Sequence, residues 1–335
     1  MSVEASNAPA TLGDSQGNFP LLKKQSRILV TGHTGMLGKA LVRALRGAGY
    51  GTVLATTHAE CDLTDAKQVG ALFERLRPDH VFHLAARVGG IKANTAFPAD
   101  FLYENLAMQN NVIRECHRSG ARKLVFPGSS CIYPRECPQP MREEYLLTGP
   151  LEPTNEGYAL AKIAGIRLAQ YYHRQYGLQC VNPVPCNLYG PEDTFDLERS
   201  HVLSALVRRF VDAQHAGRKE VVLWGTGSAR REFLHVEDAA EALLFLAASY
   251  ESPEIINVGT GTDVSVRELA DLIAGAVGYE GRIAWDGAMP DGMPRKCVDV
   301  SRIAALGYRP RIGLAEGIRG VVQQYRELKK KGAYP

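Results

Sequence analysis

The feature that most constrains this chain is a glycine-punctuated junction between two regular patterns. Residues 27–32, RILVTG, form a short apolar run that ends on glycine. MLGKALVRALRGAG follows, with Leu37, Leu41 and Leu45 at helical spacing and Gly49 as a stop. The junction reads G-H-T-G-M-L-G, with glycines at Gly32, Gly35 and Gly38. Glycine permits positive φ in such a turn and lets backbone come close to a pyrophosphate. The first turn of the helix then offers unpaired N–H groups to the phosphates. A plain tight turn would carry glycines too, but the strand–turn–helix setting near the start of the fold favours dinucleotide binding.

The alternation continues. GTVLATT reads as a second strand. LTDAKQVGALFERLRP reads as a helix with Thr64 and Asp65 as cap candidates, stopping before Pro78. HVFHLAA is a third strand, KLVFPGS (123–129) a fourth, and a long helical segment near 97–119 lies between them. Strands alternating with helices predict right-handed βαβ units, hence an α/β fold with a Rossmann-type, doubly wound parallel sheet. VVLWG and IINVG are further strand-like runs, and SVRELADLIAGAVG opens on a capping box, Ser265 with Glu268. The second half has more Pro and Gly and a less regular alternation, which predicts a smaller, interleaved C-terminal α/β substrate domain. The expected organisation is a disordered leader over 1–26, a Rossmann domain over 27–188 plus about 232–262, and a substrate domain over 189–231 and 263–330.

Composition narrows the function class. The 335 residues are 45% hydrophobic and 22% charged, ordinary for a soluble globular protein. A net charge of +3, from 39 basic and 36 acidic residues, gives no electrostatic argument for nucleic acid or a membrane surface. No apolar run approaches the roughly 20 residues of a membrane helix. The first residues lack the basic start and apolar stretch of a secretory signal. Seven scattered cysteines (Cys61, Cys116, Cys131, Cys137, Cys180, Cys186 and Cys297) form no C-x-x-C pair, and the odd count argues against a disulfide framework. A cytoplasmic location fits, and no metal site is expected.

The chemistry concentrates in a few places. Tyr158 and Lys162, in Y-A-L-A-K, share one helix face. A phenol near pKa 10 is a poor acid–base group at neutral pH, and a neighbouring ammonium is expected to lower it. Ser129, at the end of the fourth strand, faces the crevice where a parallel sheet binds its cofactor. Together these residues predict a hydride-transfer site in which Ser129 holds a carbonyl and Tyr158 gives it a proton. Cys131 follows two residues later; in an extended segment it would point the same way as Ser129, although a buried cysteine is more often a small apolar filler. His201, Arg209, Trp224, Arg231, Arg295 and Lys296 are, singly, ordinary caps, surface residues or solvated charges; converging, such cations would hold a diphosphate. The second strand ends Ala55-Thr56-Thr57-His58, neither the acid of a ribose site nor the arginine of a 2′-phosphate site, and Asp62 is placed for the adenine edge.

Six segments carry a family resemblance: AARVGGIKAN (85–94), GSSCIYP (128–134), LEPTNEGYALAKIAG (151–165), NLYGP (187–191), SHVLSALVRRF (200–210) and REFLHVEDAA (231–240). From Arg27 to about residue 325 the chain resembles the GDP-L-fucose synthase family of extended short-chain dehydrogenases. The resemblance implies NADPH-dependent 3,5-epimerisation and 4-reduction of GDP-4-keto-6-deoxy-D-mannose by a homodimer. It implies Ser129, Tyr158 and Lys162 as the reductase set, Cys131 as the epimerisation base and His201 as its acid. It implies NADP contacts from Gly32, Thr34, Gly35, Met36, Leu37, Gly38, Asp62 and Leu63, with Tyr158, Lys162 and His201. Asn187, Val202, Arg209, Trp224, Arg231 and Lys296 are the implied GDP-sugar contacts. Some bacterial members carry arginine where this sequence has Thr34 and His58, and Cys186 stands where the family motif has threonine. Alternatives are the same chemistry on another GDP-4-keto sugar (a colitose precursor or a heptose), a 4-epimerase or dehydratase of the same fold, and a non-catalytic dinucleotide sensor. A dehydratase would need an acid pair near Cys131, and a sensor typically lacks the Tyr or Lys.

Overall fold

The structure, a computed structural model, describes residues 22–196, 200–289 and 292–334. Its strands are β1 (Ile28–Thr31), β2 (Val53–Thr56), β3 (His80–His83), β4 (Lys123–Val125), β5 (Gln179–Pro185), β6 (Asn187–Tyr189), β7 (Glu220–Trp224), β8 (Arg230–Arg231), β9 (Phe233–His235), β10 (Ile255–Val258), β11 (Val264–Ser265), β12 (Arg282–Asp286) and β13 (Arg295–Lys296). Its helices are α1 (Met36–Gly47), α2 (Ala66–Leu76), α3 (Ile91–Ala96), α4 (Pro98–Arg118), α5 (Glu156–Tyr176), α6 (Val202–His215), α7 (Val236–Ser249), α8 (Val266–Val277), α9 (Ser301–Ala305) and α10 (Leu314–Lys330).

Six strands form one parallel sheet in the order β10-β5-β4-β3-β1-β2. Every residue of β1, β3, β4 and β10 is buried. Such unbroken burial follows from a sheet covered on both faces. Leu41 and Leu45 of α1 and Leu243 and Ala247 of α7 share one cluster with Ile28 and Val30. Val69 and Phe73 of α2, Ile113 of α4 and Ile166 of α5 share another with Leu29, Val81 and Leu124. From β1 the chain goes to β2 on one side while β3 lies on the other, so the order reverses at β1. The two connections part there and leave a crevice at the carboxyl ends of β1 and β3.

A second core lies in the later half. Leu206 and Phe210 of α6, Leu269 and Ile273 of α8 and Ile318 and Val322 of α10 pack together with Leu223 of β7, and β7 pairs in parallel with β12. Two buried acids fasten the short strands between the halves. Glu232 accepts hydrogen bonds from the N–H groups of Thr260 (2.6 Å), Gly261 (2.7 Å) and Val298 (2.8 Å). Asp263 pairs with Arg230 and, at 2.6 Å, with Arg295.

The expected strands and helices form, with local differences. Asp65 caps α2 by accepting from Lys67 N (2.8 Å) and Gln68 N (3.2 Å). The Ser265–Glu268 capping box closes at 3.0 and 2.7 Å. The fourth strand is shorter than expected, ending at Val125. Its pairing with β5 goes on irregularly through Phe126 N to Val181 O (2.9 Å) and Gly128 N to Pro183 O (2.7 Å). The packed chain also starts before residue 27. Leu22 is buried and its carbonyl accepts the Tyr50 hydroxyl at 3.2 Å. Residues 22–26 therefore leave the leader, whose remainder lies outside the described residues. Among the described residues no helix is long and apolar enough to cross a membrane.

Candidate active site

A cavity of about 1470 Å³ runs from the glycine turn, past the ends of β3 and β4, to the start of α6 and the strands β8 and β13. At its first end Gly32 has φ +73°, and a Cβ there would lie 2.5 Å from Ala85 N on the chain leaving β3. A Cβ on Gly38 would lie 2.1 Å from Gly32 O, so only glycine lets α1 start this close to β1. Gly35, the α1 N-cap, differs: a Cβ there meets protein only at an ordinary 3.4 Å. What its bare Cα keeps clear is the cavity above the helix N-terminus, the approach a pyrophosphate needs. Thr34, Met36, Leu37, Asp62 and Leu63 line the same end. These residues fit a dinucleotide.

Thr56, Thr57 and His58, at and just after the end of β2, also line the cavity. Glu60 is turned onto Thr57, accepting from its N–H (2.8 Å) and hydroxyl (3.0 Å), which hold its carboxyl below the ordinary range. Asp62 accepts from Thr64 N (2.9 Å) and Oγ1 (2.8 Å), so one of its oxygens holds its own turn.

Ser129, Tyr158 and Lys162 all line this cavity. Lys162 is buried; its ammonium donates to Pro127 O at 3.0 Å and sits 4.8 Å from the Phe126 ring centre and 5.9 Å from that of Tyr158. Burial lowers it to about 8, and the nearby Cys131 opposes the shift. The expected lowering of the Tyr158 pKa is not found. Burial pushes the phenol above its ordinary value and Cys131 adds to the rise, while Lys162 is engaged at Pro127. Tyr158 thus stands as a neutral phenol, the form that donates.

Cys131 lines the cavity and is buried, but not through an extended segment. Ser130–Ile132 form a turn of 3₁₀-helix capped by Ser129, whose Oγ accepts from Cys131 N at 3.5 Å. The turn, rather than strand alternation, brings both side chains to one wall. His201 lines the wall at the start of α6. It is the N-cap, yet its imidazole makes no capping bond.

At the far end stand Asn187, Val202, Trp224, Arg231 and Lys296. Asn187 donates to Glu232 O at 2.8 Å, and Arg231 to Met293 O at 2.6 Å. Burial lowers Lys296, which faces Cys131, Arg231, Cys186 and Glu152. Arg209 is the exception among the expected contacts. It is not among the residues lining the cavity: its guanidinium donates to Val222 O (3.3 Å) and lies 5.9 Å from the ring centre of Trp224, a rim residue 64% exposed.

Some wall residues were not singled out from the sequence. His83, at the end of β3, is fully buried, shares a hydrogen bond with Thr31 Oγ1 at 2.8 Å and is pushed down to about 3 by burial with Lys162 adding, so it is neutral. Arg87 binds Glu104 and, at 3.3 Å, Asp100. The HLAAR stretch that carries both was visible only as strand and family motif, because their partners lie on β1 and α4.

A family model described as the NAD dependent epimerase/dehydratase family matches residues 28–259. The chain belongs to this family. The Rossmann enzyme expected from the glycine turn is thereby borne out. Within the epimerase/dehydratase family, the probable GDP-L-fucose synthase 1 of Oryza sativa subsp. japonica is 48% identical over 318 residues, 95% of this chain and 97% of that protein. A solved GDP-L-fucose synthetase from Naegleria fowleri bound to NADP superposes with a TM-score of 0.84 at 30% identity, covering 92% of this chain and 96% of that one. A GDP-6-OMe-4-keto-L-xylo-heptose reductase from Campylobacter jejuni superposes at 0.86 with 33% identity, covering 91% and 99%.

Proposed function

We propose that this chain converts GDP-4-keto-6-deoxy-D-mannose to GDP-L-fucose with NADPH, by 3,5-epimerisation and then 4-reduction. The carrying observation is that two acid–base sets line one cavity: Ser129, Tyr158 and Lys162 beside Cys131 and His201. A simple reductase needs only the first set.

A C4 ketone acidifies the C–H bonds at C3 and C5. Cys131 removes a proton, and the enolate charge on the C4 oxygen is held by the hydroxyls of Ser129 and Tyr158. His201 returns a proton from the opposite face. Performed at both carbons, this takes the sugar from the D-manno to the L-galacto series. Bound NADPH supplies the hydride for C4. Tyr158 protonates the C4 oxygen, and Lys162, fixed by Pro127, holds the ribose and its charge beside the phenol. Arg231 and Lys296 face the diphosphate, and Trp224, backed by Arg209, covers the guanine end.

The 48% identity to the rice fucose synthase supports the fucose product, while the solved fucose synthetase (30%) and heptose reductase (33%) are too alike in identity to separate the two sugars. We also read the protein as a cytoplasmic homodimer without nucleic-acid or membrane partners. Its seven cysteines are all free thiols, and α5 exposes Leu160, Ala164 and Tyr171 along one side, next to the exposed Tyr103 of α4. Incubation with GDP-4-keto-6-deoxy-D-mannose and NADPH or NADH, with the product solved by NMR, tests the assignment. GDP-L-fucose formed faster with NADPH supports it; turnover only of a heptose or dideoxy ketosugar refutes it.

A further inference from the structure

Lys162 is a buried ammonium with three N–H donors, and among the described residues its hydrogen bond goes to Pro127 O at 3.0 Å. Taking such a charge out of water costs free energy unless something negative replaces the solvent. The Phe126 ring lies beside it. The ring centre is 4.8 Å from Nζ, inside the roughly 6 Å reach of a cation–π contact. Phe126 is the first residue after β4 and the neighbour of Pro127, so one short stretch of chain presents both the carbonyl and the ring.

The ring is itself fixed. Phe126 is fully buried, and its N–H donates to Val181 O at 2.9 Å. The ring stacks on His83, with centres 5.8 Å apart and planes at 18°. His83 is held in turn by Thr31 Oγ1 at 2.8 Å. The edge of the ring meets α5 at Gly165, three residues after Lys162; a Cβ there would strike the ring at Cζ. The bare Cα of Gly165 lets the ring close on the helix that carries the ammonium.

We propose that Phe126 is a positioning residue for the reduction, its ring the seat that keeps the Lys162 ammonium charged and in place beside Tyr158. This rests on the assignment of Lys162 to the reductase set. An aromatic face offers negative potential without a lone pair, so it steadies the cation and leaves its other donors for the ribose. The titratable groups facing that ammonium are His83 at the end of β3, Cys131 on the Ser130–Ile132 turn and Tyr158 on α5 itself. His83, pushed down to about 3, and Tyr158, pushed up by burial, are both neutral near neutral pH, so neither replaces the ring. Cys131 is the neighbour that can carry a negative charge, and its removal serves as a control.

The test is NMR titration of the lysine ¹³Cε signals in the full-length protein, with Lys162 assigned by its loss in Lys162→Met. Phe126→Leu is expected to lower the midpoint by about half to one pH unit. Phenylalanines with one, two or three ring fluorines, placed at 126, keep the ring's shape and drain its face of charge. They lower the midpoint in steps, and they carry the test should the leucine variant not fold. The shift persists in a Cys131→Ser background. Phe73→Leu, the loss of another buried ring in the core under α2, leaves the midpoint in place. For a ketone supplied already epimerised, kcat/KM of Phe126→Leu falls about two- to fivefold at pH 8 and recovers towards about pH 6.5, where the ammonium refills. A midpoint unmoved by fluorination, or lowered equally by Phe73→Leu, overturns the proposal. Reduction at the wild-type rate by Lys162→Met would instead overturn the parent assignment of Lys162, so the two failures are distinct.

Discussion

At the residue scale, the account divides labour between Cys131 and the Tyr158–Lys162 pair. Cys131→Ser should slow C–H exchange at C3 and C5 by at least about 10²-fold, the span of a lost general base. Reduction of a ketone supplied already epimerised should fall far less, and steady-state assays on the two substrates measure the difference. Lys162 gives a pH prediction. Its pKa is lowered by burial from 10.5 to about 8, so it carries its charge below about pH 8 and loses it above. If that charge supports reduction, kcat/KM for the pre-epimerised ketone bends downward as pH rises through about 8. The same burial has the opposite sign for stability. Between pH 8 and 10.5 the unfolded chain binds more protons than the native one, so this group's contribution to stability rises with pH. Lys162→Met should therefore abolish activity while raising stability near pH 7, on the order of 1–3 kcal/mol by denaturant unfolding. The base role of Cys131 is implied by the family resemblance alone, while residue types and spacings in the sequence were enough to nominate Tyr158 and Lys162. They did not show that Lys162 is tied to Pro127 or that burial leaves Tyr158 a neutral phenol, because the Pro127 contact and the burial arise only when α5 packs on the β4 end.

At the element scale, the glycine turn holds three different requirements in seven residues. Gly38→Ala puts a Cβ 2.1 Å from Gly32 O and must push α1 off β1. A loss of about 1–3 kcal/mol is expected, the cost of overpacking. Gly35→Ala meets protein only at 3.4 Å. It should cost about 1 kcal/mol as a poorer N-cap and yet weaken NADPH binding at least tenfold, because its methyl enters the pyrophosphate path. Calorimetric melting paired with NADPH titration separates the two variants. This turn, the buried strands and the capping box of α8 were legible because periodicity and cap chemistry are local. The Ser130–Ile132 turn was not, since nothing in G-S-S-C-I marks where the strand ends. Nor was α3, whose six residues are too few to show a period.

At the scale of the whole molecule, the cavity spans both halves, and its shape depends on the acids fastening them. Burial alone would raise Asp263; Arg230 and Arg295 outweigh it and hold the carboxyl below its ordinary range. Its stabilising contribution is therefore present above the ordinary carboxylate pKa and is lost as pH falls through the lower folded value. Asp263→Asn should cost about 1–3 kcal/mol at pH 7, lessen the acid sensitivity of unfolding and raise KM for the GDP-sugar, since Lys296 lies on the strand that Asp263 holds. None of this seam could be read from local pattern, because its partners lie about 30 or more residues apart. The central claim is that one cavity runs two separable chemistries on one sugar. The most direct measurement is NMR of GDP-4-keto-6-deoxy-D-mannose incubated in D₂O with NADPH and the Tyr158→Phe variant. The account predicts deuterium entering C3 and C5 while C4 stays a ketone and NADPH stays reduced. A substrate that keeps protium at both carbons, or one reduced at C4 at the wild-type rate, would contradict it.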